Sequence, residues 1–287
     1  LSAHMDEVGF IISKINKDGT LSFRTVGGID SRLLPSKAVQ IGENRLRGVI
    51  MSPPVHLKRG KDVLKVKDLR IFIGCEDKQS AAKLVSLGDY ATFYTVPEKT
   101  DNGWIRGKAW DDRIGCFIIS EILKKDWDID ITGVFTVQEE VGLRGIQSAL
   151  HMIKGDFAFA VEGTTSHSSP DEGLDNSPST ICGNGPAITA MDRMSIGNSG
   201  LKKLLEEVAR MNSIPFQYKM TATGGTETYY LLRHRTGIPS ICVSVPVRYI
   251  HAPVGMILIK DVENTLKLLE EGISLLQLKL KKLYGGK

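Results

Sequence analysis

The stretch ITGVFTVQEE, residues 131–140, joins a short apolar strand to two adjacent carboxylates. Helical patterns flank it, IGCFIISEILKK at 114–125 and RGIQSALHMI at 144–153. The alternation continues with strand FAFAVEG at 157–163, strand PSICVSVPV at 239–247 and a long helix from Lys260. Strands that alternate with helices predict an α/β fold built on a layered sheet.

Residues 8–96 have a different pattern of apolar and polar residues. Short apolar runs such as VGFIISKI, RLRGVIM and YATFYTV are separated by glycines and charged turns, which indicates a small β-rich unit. One helix is predicted there, beginning after Asp77 as N-cap and ending at Gly88. The sequence therefore predicts a boundary near residue 100.

Composition excludes several classes of protein. Of 287 residues, 41% are hydrophobic and 24% charged, which is typical of a globular protein with one large core or two unequal domains. The net charge of +4 is spread along the chain apart from Lys279–Lys282, so no nucleic-acid partner is expected. No apolar run reaches the roughly 20 residues of a membrane span, and no signal-like segment is present, so we expect no membrane partner and a cytoplasmic location.

Acidic and histidine residues follow several of the predicted strands. Glu139 and Glu140 follow ITGVFTVQ, Glu162 follows FAFAV, and His251 follows SICVSVPVRYI. In open α/β sheets ligands bind beyond the carboxyl ends of the strands, so these side chains are expected in one cleft. We expect His4 and the pair Asp111-Asp112 to belong to the same cleft.

Imidazole and carboxylate without thiolate suit catalytic zinc, cobalt or manganese better than a structural zinc site. Two such ions can share one carboxylate at roughly 3.5–4 Å and lower the pKa of a bridging water to about 7. A further carboxylate must then take the proton of that water. Glu139 and Glu140 offer one candidate of each kind, because neighbouring side chains at a strand end point in different directions.

The residues alone leave other interpretations open. Asp111 or Asp112 could N-cap the helix that begins at Ile114, because aspartate is a favoured cap. Glu139 and Glu140 could be solvated charges, and His251 an ordinary loop histidine. No HExxH, GxSxG, P-loop or GxGxxG motif decides between these alternatives.

Six motifs in order resemble one family: AHMDEVGF, GKAWDDRIG, TVQEEVGLRG, VEGTT, GGTET and PVRYIHAP. The chain is similar to the cobalt- or zinc-dependent aminopeptidases that include glutamyl and deblocking aminopeptidases and tetrahedral dodecameric peptidases. Some members of this family carry the label endoglucanase M or cellulase. The resemblance covers essentially the whole chain.

Matching positions imply a role for each candidate residue. Glu139 resembles the general base, and Asp6 resembles the aspartate that orients the first metal ligand. Asp112 follows Asp111 across a peptide that is strained or cis in related enzymes. The implied ligands are His4, Glu162 and the shared Asp111 for one ion, and Glu140, His251 and the same Asp111 for the other.

The resemblance also implies an architecture and an activity. Residues 1–9 and 100–287 would form a mixed-sheet α/β/α metallo-aminopeptidase domain whose N-terminal part is missing here, and residues 10–99 an inserted β-barrel-like oligomerisation domain. We expect an aminopeptidase with two divalent ions per subunit, zinc or cobalt or else manganese. Its partners would be peptide substrates and copies of itself, in dimers that build a homo-oligomer up to a tetrahedral dodecamer.

Three departures concern substrate preference more than metal binding. Glu162 stands where the family often has aspartate, GGTET where GGTDA is common, and HAP where HSP is common. The main alternative is a glycoside hydrolase, in which Glu139 and Glu162 would flank a sugar without a transition metal. A catalytically silent oligomeric scaffold is a further alternative, against which the intact ligand motifs argue.

Overall fold

The computed structural model describes residues 1–52, 63–166, 180–221 and 224–284, with side chains through Lys282. The strands are β1 (Ser2–His4), β2 (Gly9–Ile15), β3 (Leu21–Val26), β4 (Ala38–Ile41), β5 (Leu46–Met51), β6 (Arg70–Phe72), β7 (Tyr90–Phe93), β8 (Glu98–Lys99), β9 (Trp104–Gly107), β10 (Val134–Thr136), β11 (Ala158–Thr165), β12 (Ala187–Thr189), β13 (Gln217–Lys219), β14 (Ser240–Val247) and β15 (Gly255–Leu258). The helices are α1 (Lys78–Ala82), α2 (Trp110–Leu123), α3 (Arg144–Ala149), α4 (Ser199–Met211), α5 (Thr228–Leu231) and α6 (Ile259–Tyr284), with short 3-10 helices at Ser31–Leu33 and Val66–Asp68.

The chain forms two compact units. The first comprises Leu1–Asp6, Glu98–Ile250 and Gly255–Lys287, and the second comprises Glu7–Pro97 and His251–Val254. The oligomerisation role expected for residues 10–99 stays a prediction.

The first unit is built on a six-stranded sheet of order β10-β1-β11-β14-β12-β13. The first four strands are mutually parallel, β12 is antiparallel to β14, and β13 is parallel to β12. The predicted mixed sheet is thus confirmed. Because β10, β1 and β11 are parallel neighbours, their carboxyl ends meet at one edge, where the candidate acids and His4 lie.

Helices cover both faces of this sheet. Successive side chains of a strand point to opposite faces. In β11, Phe159 and Val161 belong to the apolar core that includes residues of α2, α4 and α6, whereas Ala158 packs with residues of α3 and α5 in a separate cluster. The central strand β11 is therefore buried on both sides, and the layers are α/β/α.

The second unit contains a closed barrel of order β2-β3-β6-β5-β4-β7. Phe10 is fully buried at its centre, with edge-to-face contacts to Phe23 and Phe93 at 5.1 Å between ring centroids in each case. Alternation in β2 directs Phe10 and Ile12 inward. This unit thus has its own apolar core, in agreement with the predicted β-rich, barrel-like architecture.

One helix prediction was only partly right. Asp77 is the N-cap, accepting hydrogen bonds from the backbone N–H groups of Gln79 and Ser80, but α1 ends at Ala82 instead of continuing to Gly88. The side chains of Leu84 and Leu87 are exposed, so the apolar face that would hold further turns against the core is absent. None of the described helices combines the length and the apolar character of a membrane span.

Candidate active site

The histidine at the end of β1 is the centre of the candidate site. His4 pairs in register with Thr136 of β10, and only 1% of its surface is exposed. A buried imidazole requires polar partners on both ring nitrogens, because an unsatisfied buried polar group costs about 1–3 kcal/mol.

The two ring nitrogens of His4 face different groups. Nδ1 lies 3.2 Å from the carbonyl oxygen of Asp6, an acceptor, so Nδ1 carries the donated hydrogen. Nε2 lies 3.2 Å from Oδ1 of Asp111, 3.6 Å from Oε2 of Glu162 and 3.8 Å from Oε2 of Glu139. A lone pair on Nε2 would point at three carboxylates unless a cation or a second proton lay there. This arrangement suits a metal-ligating imidazole.

Asp6 connects His4 to the acidic segment after β10. Its Oδ1 accepts a hydrogen bond from the backbone N–H of Glu139 at 3.1 Å, and its Oδ2 accepts one from Glu140 at 3.2 Å. Oδ1 also lies 3.5 Å from Nδ1 of His4. One carboxylate thus fixes both the ring of His4 and the backbone that carries the two glutamates.

Asp111 and Asp112 have different environments. Within α2 the backbone of Asp111 and Asp112 is non-helical, so the regular turns begin only after Asp112. Asp112 is fully buried and accepts hydrogen bonds from the backbone N–H of His4 at 3.2 Å and of Gly115 at 3.0 Å, so its side chain caps those regular turns. The peptide between the two aspartates is cis. The Asp111 side chain instead faces Nε2 of His4. A Cβ at Gly115 would lie 2.4 Å from Oδ1 of Asp112, so only glycine fits there.

Glu162 lies within β11 and is 4% exposed. Its Oε1 is buried and makes no hydrogen bond within the described residues, which leaves an orphaned acceptor beside His4. The following Gly163 allows Asp111 to approach, since a Cβ there would lie 3.0 Å from Cα of Asp111. His4, Asp111 and Glu162 offer ligand atoms that all lie within 4.8 Å of one another.

The sequence predicts a second group of ligands, namely Asp111, Glu140 and His251. Carboxylate oxygens of Asp111 and Glu140 lie within 4.8 Å of each other. His251 belongs to His251–Val254, which packs with the second unit, and its Nδ1 lies 2.9 Å from the carbonyl oxygen of Gly28. Donation from Nδ1 to that carbonyl places the ring's lone pair on Nε2. The ligand role of His251 stays a prediction.

Electrostatics indicate an excess of buried negative charge. Burial, with the charges of Asp111 and Glu140, raises the pKa of Glu139 to about 8, although His4 opposes the shift. Burial also raises the pKa of Glu162 well above its usual value. Burial lowers the pKa of His4, but the hydrogen bonds with Asp111 and Asp6 outweigh it and raise that pKa overall. Carboxylates and an imidazole that share so small a volume fit a divalent cation, which compensates their charge.

One buried acid near this site did not stand out in the sequence. Glu227 is fully buried and accepts a hydrogen bond from the hydroxyl of Thr136, the residue paired with His4. The only feature of the sequence that pointed to Glu227 was its place in the GGTET motif. A charged residue between two threonines does not reveal that all three are buried.

Comparison with known proteins agrees with this geometry. A family model described as M42 glutamyl aminopeptidase matches residues 1–268. A putative aminopeptidase of Acetivibrio thermocellus is 36% identical over 280 residues, which cover 95% of this chain and 81% of that protein.

Two solved structures are also similar. The TET aminopeptidase of the marine sediment archaeon Thaumarchaeota archaeon SCGC AB-539-E09 has a TM-score of 0.90 and 35% identity, over 98% of this chain and 82% of that chain. The Pyrococcus horikoshii TET1 peptidase, which can assemble into a tetrahedron or a large octahedral shell, has a TM-score of 0.81 and 34% identity, over 94% of this chain and 81% of that chain. The resemblance seen in the motifs is thus confirmed: the chain belongs to the M42 glutamyl aminopeptidase family and is an aminopeptidase, a hydrolase of peptide bonds.

Proposed function

We propose that this aminopeptidase removes N-terminal residues from peptides with the help of two divalent metal ions. The observation that carries the proposal is the buried group of His4, Asp111 and Glu162, whose ligand atoms lie within 4.8 Å of one another. Glu139 lies next to that group, 3.8 Å from Nε2 of His4. Ligands and a separate proton acceptor are the two components that metal-assisted hydrolysis requires.

His4, Glu162 and Asp111 would hold one ion, and Asp111, Glu140 and His251 the other. The short distance between Asp111 and Glu140 supports the shared role of Asp111, and the sequence resemblance supports His251. Three protein ligands for each ion leave room for water and substrate. Nitrogen and carboxylate oxygen donors suit zinc or cobalt, with manganese as the further candidate.

Bound ions of this kind polarise a scissile carbonyl and acidify a water molecule. Glu139 takes the proton from the attacking water and passes it to the departing amine. Its position supports this role, because Oε2 of Glu139 lies 3.8 Å from Nε2 of His4, beside the proposed ligand group of His4, Asp111 and Glu162 but outside it. Asp6 holds the backbone of Glu139 and the ring of His4, so the base and the first ligand keep their spacing.

A homo-oligomer is part of the same proposal. The barrel carries exposed apolar side chains, including the cross-strand neighbours Val49 and Phe72 together with Leu87 and Tyr90. Such side chains favour association. The assembly of the Pyrococcus horikoshii peptidase into closed shells also supports a dimer-based oligomer, up to a tetrahedral dodecamer. Analytical ultracentrifugation tests this part: a particle of several chains is expected, and a monomer at micromolar concentration would contradict it.

A glycoside hydrolase is less well supported by the geometry. Nε2 of His4 lies within 4 Å of carboxylate oxygens of both Glu139 and Glu162, the two groups that would have to flank a sugar. Two-carboxylate glycosidase chemistry has no use for a buried imidazole at that point.

A panel of aminoacyl-anilides and a soluble cellulose derivative, each assayed with zinc, cobalt, manganese or a chelator, tests the reaction class. We expect release of the aniline only with metal, and no sugar release. Cellulose cleavage that survives chelation, with no anilide cleavage, would overturn the proposal.

A further inference from the structure

We infer that Glu227 is a positioning residue for the pair His4 and Glu139: its buried carboxyl group holds Thr136, and Thr136 holds the end of β10 beside His4. This inference rests on the proposed function. It assigns a specific task to an acid whose hydrogen bond goes to Thr136, which is neither a proposed metal ligand nor the proposed base.

The burial of Glu227 needs a physical explanation. Glu227 is 0% exposed. Burying a carboxyl group is costly unless hydrogen bonds compensate it. Burial raises the pKa of Glu227, and the hydrogen bond from Thr136 opposes that shift. The hydroxyl of Thr136, itself 4% exposed, donates to Oε1 of Glu227, whereas Oε2 is buried without a hydrogen bond among the described residues.

Thr136 links this carboxyl group to His4. The two residues are directly paired across β1 and β10, and the carbonyl oxygen of Thr136 accepts a hydrogen bond from the backbone N–H of Met5 at 2.8 Å. Thr136 is the last residue of β10, so a shift of its backbone would displace His4 from the adjacent strand.

Thr136 also precedes the acidic segment by three residues. After β10 the chain turns at Gln138, which has a positive φ of 63°, and Asp6 then holds the N–H of Glu139. The turn is therefore fixed at one end by Thr136 and at the other by Asp6. Removing the anchor at Thr136 leaves Asp6 alone to set the spacing between Glu139 and His4.

Thr226, the residue before Glu227, provides a second contact that holds this segment in place. The hydroxyl of Thr226 lies 3.4 Å from Oδ2 of Asp192, and Asp192 also accepts hydrogen bonds from the backbone N–H groups of Met194 and Ser195 at 2.7 Å each. The backbone of Glu227 is thus tied to a buried polar turn. A rigid support of this kind is what a positioning group requires.

Two matched pairs of variants test the inference. Glu227→Gln keeps an acceptor for Thr136, whereas Glu227→Met matches the side-chain length without one. Thr136→Ser keeps the hydroxyl group, whereas Thr136→Val keeps the shape and removes it. Asp261→Asn is the control for a buried acid elsewhere, because Asp261 binds the backbone N–H groups of Gly183 and Gly185.

The measurements are kcat and KM on the best anilide substrate, the dissociation constant for zinc by calorimetry, and the melting temperature. We expect Glu227→Met and Thr136→Val to lower kcat by about 10- to 100-fold, with KM changed less than about threefold and zinc bound more weakly. Glu227→Gln and Thr136→Ser should retain kcat within about threefold. Asp261→Asn should lower the melting temperature without lowering kcat of the folded protein.

Each outcome of these experiments supports or contradicts the positioning role of Glu227. If folded Glu227→Met and Thr136→Val keep wild-type kcat and zinc affinity, the inference is wrong although the proposed function stands. If only one of these two variants folds, its kcat and zinc affinity decide alone. If both variants lose only thermal stability, the result expected for Asp261→Asn, Glu227 is merely structural. A wild-type protein that neither binds metal nor cleaves anilides contradicts the proposed function and this inference together.

Discussion

Oδ1 of Asp6 accepts a hydrogen bond from the backbone N–H of Glu139 at 3.1 Å. The same carboxylate lies against the ring of His4, so it fixes the proposed base relative to the first ligand. Burial raises the pKa of Asp6, but hydrogen bonds with His4 and with the backbone of Glu139 outweigh it and lower that pKa overall. Asp6 is therefore a charged acceptor at neutral pH.

Replacing Asp6 tests this connection. In Asp6→Ala we expect metal affinity or turnover to fall by about 10- to 100-fold, because partners that orient a metal-bound histidine typically contribute this much. Asp6→Asn keeps one carbonyl oxygen and should fall between Asp6→Ala and the wild type. Calorimetry and steady-state kinetics measure both quantities, and wild-type values in Asp6→Ala would refute the orienting role.

Replacing Glu139 separates proton transfer from metal binding. Glu139→Gln should retain metal but lose about 10²- to 10⁴-fold in kcat, because it removes general acid–base catalysis while the proposed ligands remain. Glu98→Gln is the control, since Glu98 is an exposed acid that pairs with Arg106. Near-normal kcat in a fully metallated Glu139→Gln protein would exclude Glu139 as the base.

Replacing Asp112 affects stability. Asp112→Ala leaves the buried N–H groups of His4 and Gly115 without their acceptor, at a cost of about 1–3 kcal/mol in the free energy of unfolding. Gly115→Ala should also destabilise, because the added Cβ would meet Oδ1 of Asp112 at 2.4 Å. Denaturant unfolding of the metal-free protein measures both changes. An unchanged midpoint in both variants would disprove the cap.

Replacing Phe10 tests whether the barrel has a core of its own. Phe10→Ala should cost about 3–5 kcal/mol, because it opens a cavity between Phe23 and Phe93. Lys14→Ala, at an exposed position of β2, should cost much less. Thermal scans followed by near-ultraviolet circular dichroism distinguish the two variants. Equal melting temperatures would contradict the packing described for Phe10.

Much of the site could be predicted from the sequence because several of its residues lie at or near the carboxyl ends of strands. Glu139 and Glu140 follow one strand, Glu162 lies in the next, and parallel neighbours deliver them to one edge of the sheet. The residues alone left the roles of Asp111 and Asp112 open, because either aspartate could cap the following helix, and only the family resemblance implied that Asp111 is the shared ligand. Only the structure shows which carboxylate faces the backbone and which faces His4.

Other features depend on burial, which a sequence pattern does not reveal. The extent of α1 was overestimated because the run AAKLVSL has helical periodicity, yet Leu84 and Leu87 face solvent. Glu227 was missed for the opposite reason, since an acid in a polar motif reads as exposed but is fully buried. In both cases tertiary packing overrides the local signal.

Turnover measured as metal is returned to the chelated protein tests the central claim most directly. The protein is stripped until metal falls below about a tenth of an ion per chain, and release of an N-terminal residue is followed as zinc or cobalt is added in known equivalents. The two-metal account predicts no cleavage in the stripped protein and a maximum near two equivalents per chain. Undiminished cleavage in the stripped protein, or a maximum at one equivalent, would contradict it.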